Sequence, residues 1–74
     1  MVTDASWLQK LRKMLITYFT EQDVRTICFD LGVSYDALPG ESGHDKVREF
    51  ITFLNHRSRV YELLDWIKRE RPDV

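Results

Sequence analysis

Apolar residues recur along this chain at intervals of three and four, with polar residues between them. Trp7, Leu8, Leu11, Met14, Leu15 and Tyr18 form one such stripe, which predicts a first helix from Asp4 or Ser6 to about Phe19. Thr20 stands three residues before Asp23, a capping-box arrangement that starts a second helix, with Glu21 and Asp23 at its positive end. Val24, Ile27, Cys28 and Leu31 are its core face, and Gly32 can take the left-handed conformation that closes it. Ser34 is the expected cap of a stunted third element, Ser34 to Leu38, which Pro39-Gly40 holds to about one turn. Ser42 or Asp45 caps a fourth helix running to about Asn55, with Val47, Phe50, Ile51 and Leu54 inward. Ser58 is the expected cap of a fifth, whose stripe is Val60, Leu63, Leu64 and Ile67 and whose limit is Pro72.

No segment alternates at period two over a strand's length. The expected fold is therefore all-α, a compact antiparallel bundle of five to six helices. Seventy-four residues make one domain, 1–74, with one modest core and little room for a deep catalytic cleft. The chain shows no internal repeat or linker and reads as one module of a larger protein. A single cysteine excludes an internal disulfide and fits a reducing, cytoplasmic setting. No long apolar run predicts a signal peptide or a membrane span.

Candidate chemistry is sparse. Cys28 with His44 or His56 as base would make a nucleophile, but it lies on the inward stripe of its helix, where a thiol behaves as a small apolar residue. One cysteine and two histidines lack metal-ligand spacing, and Asp30 and Asp36 read as local turn partners rather than an acid–base pair. No phosphate-binding glycine loop or hydrolase motif is present. The expectation is no enzyme, no catalytic residue, no metal and no cofactor.

Charge is informative through its distribution. The net value is only −1, from 11 bases against 12 acids, yet residues 19–49 hold seven acids against Arg25, Lys46 and Arg48. Residues 1–18 set Lys10, Arg12 and Lys13 against Asp4, and residues 50–74 hold five bases against four acids. Leu31-Gly32-Val33-Ser34 resembles the turn of a DNA-reading helix-turn-helix, the alternative reading. Its following segment, however, is short and bordered by Asp30, Asp36 and Glu41, which repel phosphate. Protein association fits better. An acidic face (Glu21, Asp23, Asp30, Asp36, Glu41) and a basic face (Lys10, Arg12, Lys13, Arg57, Arg59) allow one copy to meet the next head to tail, closing a ring or growing a filament. Ile16, Phe29, Phe53 and Trp66 lie off the main stripes, Phe29 roughly 160° from its helix's core face. Phe29 and Trp66 are the expected apolar anchors.

Residues 11–72 carry four ordered segments: Leu11-Arg12-Lys13, the run Cys28 to Ser42, Lys46-Val47-Arg48-Glu49, and Arg57-Ser58-Arg59 through Leu63-Leu64. On these the chain resembles the bacterial effector-associated domains, also described as bacterial death-like domains. The resemblance implies a death-fold-like bundle with no catalytic role of its own. It further implies an adaptor that joins protease, TIR or STAND ATPase effectors in bacterial conflict or immune signalling, through homotypic or heterotypic contacts with itself or another death-like domain. Neither nucleic acid nor membrane is an expected partner. This chain departs from a typical death domain in its shortness and its minimal third helix.

Overall fold

The computed structural model describes residues 5–74. Among them are four α-helices, α1 (Ala5–Tyr18), α2 (Glu21–Leu31), α3 (Gly43–His56) and α4 (Val60–Glu70), with one 3-10 turn at Tyr35–Ala37 between α2 and α3. The described residues contain no strand. The all-helical expectation holds, but five to six helices overstates the count. Pro39 forces Leu38 into extended backbone (φ −69°, ψ 140°), so the third element closes only two i→i+3 bonds, Ala37 N–H to Ser34 O and Leu38 N–H to Tyr35 O, each 3.2 Å. Asp4, one of the two expected caps of α1, lies outside the described residues.

Local capping chemistry explains most helix ends. Thr20 Oγ1 accepts from Asp23 N–H at 3.1 Å while Asp23 Oδ2 accepts from Thr20 N–H at 3.0 Å, a complete capping box. Ser42 Oγ accepts from Asp45 N–H at 3.1 Å and starts α3. Ser34 makes no side-chain cap bond.

Two helices end in the same left-handed closure. After α2, Gly32 (φ 76°) lets its own N–H reach Phe29 O at 3.2 Å and Val33 N–H reach Cys28 O at 2.8 Å. After α3, Ser58 (φ 56°) does the same, with Ser58 N–H to Asn55 O at 3.2 Å and Arg59 N–H to Leu54 O at 2.8 Å. Ser58 therefore terminates α3 instead of capping α4, whose N-cap is Arg59. The His56-Arg57-Ser58-Arg59 connection is too short to hold both a helix stop and a separate serine cap, and the stop wins.

The core is continuous across all elements. Leu15, Ile27, Cys28, Phe50, Leu54 and Leu63 are its most completely enclosed side chains, and Val33, Tyr35 and Leu38 extend it into the non-helical segment. α1 packs chiefly on α3, and α2 lies against α4 and α3. Leu8, Gln9 and Arg12 share a groove with Arg48, Ile51 and Thr52, whereas Ile16 and Phe19 share one with His44 and Val47. The two helices therefore run in opposite directions. Phe19 continues the α1 stripe one residue past the helix and meets Trp66 with ring centroids 6.3 Å apart.

Three expected core residues sit at the rim. Trp7 and Tyr18 lie on one edge of α1 and are 41% and 57% exposed, because Leu11, Leu15 and Phe19, spaced by four, set the buried line. On α4 the inward positions are Leu63, Trp66 and Ile67, and Leu64 lies at the boundary. Trp66 is 7% exposed and its Nε1–H donates to Asp30 Oδ2 at 2.7 Å, so it is a core residue with a satisfied polar tip, not an interaction anchor. Ile16 and Phe53 pack half-buried against the core.

The paired closures give opposite predictions. A Cβ at Gly32 meets nothing within 4 Å, so Gly32→Ala costs only the conformational penalty, about 1–2 kcal/mol. Ser58→Gly relieves that penalty, less the chain entropy glycine adds, for a gain of about 0.5–1 kcal/mol. Urea melts at constant m-value should show the two midpoints moving in opposite directions; a Ser58→Gly midpoint below that of the parent would contradict this account.

Candidate protein-interaction surface

The outer face of α2 is built by helical spacing. Glu21, Arg25 and Phe29 follow one another at i, i+4 and i+8 and form a single ridge. Arg25 Nε donates to Glu21 Oε2 at 3.2 Å and Nη1 to Asp36 Oδ1 at 3.3 Å, and its guanidinium lies 4.3 Å above the Tyr35 ring. The acidic ridge thus contains a cation at its centre. Such exposed pairs contribute little energy individually, and both carboxylates stay open to solvent, the Asp36 side chain at 82%. At the end of the ridge Phe29 is 84% exposed, the most exposed of the large apolar side chains among the described residues.

The other expected acids divide. Asp23 is occupied by the α2 capping box and lies 3.8 Å from Arg71 Nη1. Asp30 holds the Trp66 indole. Glu41 is exposed and has no ion pair among the described residues. The structure thus joins Glu21 and Asp36 around Arg25 and assigns Asp23 and Asp30 to structural duties.

The expected basic face divides in the same way. Arg59 is half-buried: Nε and Nη2 grip Glu62 at 2.9 and 2.8 Å, and Nη2 also donates to the Leu31 carbonyl at 2.7 Å, tying the end of α2 to the start of α4. Its hydrogen bond holds the Glu62 carboxyl below the ordinary glutamate range, and the same bond raises Arg59. Arg59 is thereby withdrawn from a partner. Arg57 stacks over Phe53, 3.9 Å from the ring centroid, on the outside of the α3–α4 connection. Lys10 and Lys13 are exposed on α1. Arg12, also on α1, lines a groove of about 390 Å³ with Leu8, Gln9, Arg48, Ile51 and Thr52. None of Lys10, Arg12 and Lys13 has an ion pair among the described residues.

Sequence reasoning missed several residues that shape this surface. Arg71 reaches Asp23, Asp73 and the Tyr18 carbonyl and lies 4.7 Å over Phe19. Lys46 donates from Nζ to Leu38 O at 2.8 Å and Tyr35 O at 3.3 Å, and sits 5.3 Å from the Tyr35 ring on the side chain's part-buried path. The Glu21–Arg25 spacing was legible as an i,i+4 pair; the contacts of Arg71 and Lys46 carry no such local signal.

Cys28 is fully enclosed, and burial pushes its thiol up to about 11, partly opposed by Arg25. At neutral pH it is a protonated, apolar-like side chain and a poor nucleophile. Among the described residues no group of three or more His, Cys, Asp or Glu is placed to hold a metal ion, and no helix is long and apolar enough to cross a membrane.

The family model for effector-associated domain 7 matches residues 11–72. The chain belongs to that family, an accessory, non-catalytic class of domain linked to effectors. No curated protein and no solved structure gives a significant match.

Two measurements test the geometry beneath this surface. Lys46→Met removes two charge-assisted bonds to carbonyls and should cost about 1.5–3 kcal/mol in a denaturant melt. Iodoacetamide at pH 8 should leave native Cys28 unmodified and label it fully once the chain is unfolded. Fast labelling of the native protein would show that the thiol is not core.

Proposed function

We propose that this domain is a non-catalytic adaptor that associates with a second copy of itself or with another death-like domain, and so recruits attached effectors such as a protease, TIR or STAND ATPase in bacterial immune signalling. Membership of an effector-associated family supports the accessory role. The observation that carries the association reading is Phe29, an aromatic side chain 84% exposed at the end of a ridge bearing Glu21 and, across Arg25, Asp36. Exposed aromatics rimmed by charge are the residues that dominate protein interfaces. The solvent-facing carboxylates of α2 and the 3-10 turn make no ion pair with Lys10, Arg12 or Lys13 among the described residues, which leaves both signs of charge open to a second molecule.

In this reading Glu21, Asp36 and Glu41 form the acidic contact, while Lys10, Arg12 and Lys13, with Arg57 behind its stacking on Phe53, form the basic one. Asp23, Asp30, Arg59 and Trp66 support the fold. The association is head to tail, a geometry that closes as a ring or continues as a filament. The setting is the cytoplasm, and charge sets partner choice and on-rate more than affinity.

Charge reversal tests this. Arg12→Glu and Asp36→Lys should each weaken self-association in low salt, by roughly tenfold in sedimentation velocity, and mixing the two variants should partly restore it through a reversed pair. Association indifferent to both reversals at low salt would remove charge pairing as its basis.

A further inference from the structure

The four phenylalanines are treated differently by the fold. Phe50 is fully buried, Phe19 lies under Arg71 at 4.7 Å, and Phe53 lies under Arg57 at 3.9 Å. Phe29 alone is exposed, with no ring or cation contact among the described residues. The arginines show the converse. Arg25, Arg48, Arg57, Arg59, Arg69 and Arg71 each have an acid, a carbonyl or a ring within reach. Arg12 alone has none among the described residues, and it borders the groove between α1 and α3.

The geometry points to one contact that resolves both: Phe29 of one copy seats in the α1–α3 groove of a second copy, between Leu8 and Ile51, with Arg12 against its ring. This inference rests on the self-association reading and names its central contact. The groove, at about 390 Å³, exceeds the roughly 150 Å³ that suffices to hold a benzene ring. Leu8 and Ile51 supply an apolar floor, and Arg12 and Arg48 supply guanidinium groups at the rim. A guanidinium over an aromatic ring is the arrangement this chain already uses at Tyr35, Phe53 and Phe19. Charge matches as well. The ridge that delivers Phe29 carries Glu21 and is flanked by Asp36, opposite the cations of α1. Arg48 contacts Asp45 and Glu49 only at 3.6 and 3.5 Å with its side chain 58% exposed, so it can turn toward an incoming carboxylate. As proposed, each copy's ridge seats in the next copy's groove, head to tail, so the contact is heterologous.

Four variants test it, each checked by circular dichroism and melting for an intact fold. Phe29→Ala removes the knob, and Thr52→Trp fills the groove from an exposed position on its wall. Each should weaken self-association at least about tenfold by sedimentation velocity. Mixed, they should form a dimer and nothing larger, because one retains a groove and the other a phenylalanine. If Thr52→Trp perturbs folding, Arg12→Ala serves as the groove variant, and Phe29→Leu should retain more association than Phe29→Ala. Loss with Phe29→Ala but not with either groove variant would assign Phe29 to another acceptor and overturn this contact. So would an equimolar mixture that stays monomeric. Charge reversal that weakens association while Phe29→Ala and Thr52→Trp leave it intact would overturn the contact and keep the association reading. A parent protein monomeric at millimolar concentration would overturn both.

Discussion

The ammonium of Lys46, set against the carbonyls of Tyr35 and Leu38, is the contact on which the distinctive part of this domain depends. A 74-residue chain has too few helical positions to enclose its core, and so it buries Val33, Tyr35 and Leu38 from a segment that is not α-helical. Burying such a segment leaves peptide carbonyls without ladder partners. A charged donor reaching in from α3 satisfies Leu38 O and adds a second bond to Tyr35 O, which also accepts from Leu38 N–H, while Gly32 and Pro39-Gly40 fix the entry and exit of the chain. Gly40 (φ 99°) has little freedom to be anything else, since a Cβ there would come within 2.5 Å of Asp45 Cβ. Tyr35 then lies between Arg25 and Lys46, and Asp36 is presented outward beside the α2 ridge.

Charged side chains here fall into two working groups. Arg59, Arg71, Lys46, Asp23 and Asp30 bind carbonyls, an indole or one another and tie separate segments of the chain together. Lys10, Arg12, Lys13, Glu41 and, beyond their shared hold on Arg25, Glu21 and Asp36 remain available to solvent. Net charge near zero hides this division. The surface left over carries opposite signs on α1 and on the α2–turn corner, with an aromatic ring at the latter, and that is the physical basis of the adaptor reading.

Much of the fold is legible in the sequence. The capping box at Thr20 and Asp23, the Ser42 cap, the Gly32 stop and the inward faces of α2 and α3 all appear where periodicity and turn chemistry place them. The misreadings share a cause. Ser58 looked like a serine cap because serine is a good one, yet the chain needed a left-handed residue there to end α3. Trp66 looked peripheral on a helical wheel, but α2 packs on α4 and carries Asp30 to its indole nitrogen. Trp7 and Tyr18 keep helical rhythm yet lie on an edge of α1 that leaves them 41% and 57% exposed.

The sequence by itself determined most helix ends and the inward stripes of α2 and α3, because those depend on neighbours within about four positions. Only the tertiary structure decided which charges hold the molecule together and which face outward. Arg59 meets Leu31 across 28 residues, Trp66 meets Asp30 across 36, and Arg71 meets Tyr18 across 53. No local pattern encodes such pairs, since each is set by how helices cross, and so the outward-facing charges became distinguishable only once the structural ones had been set apart.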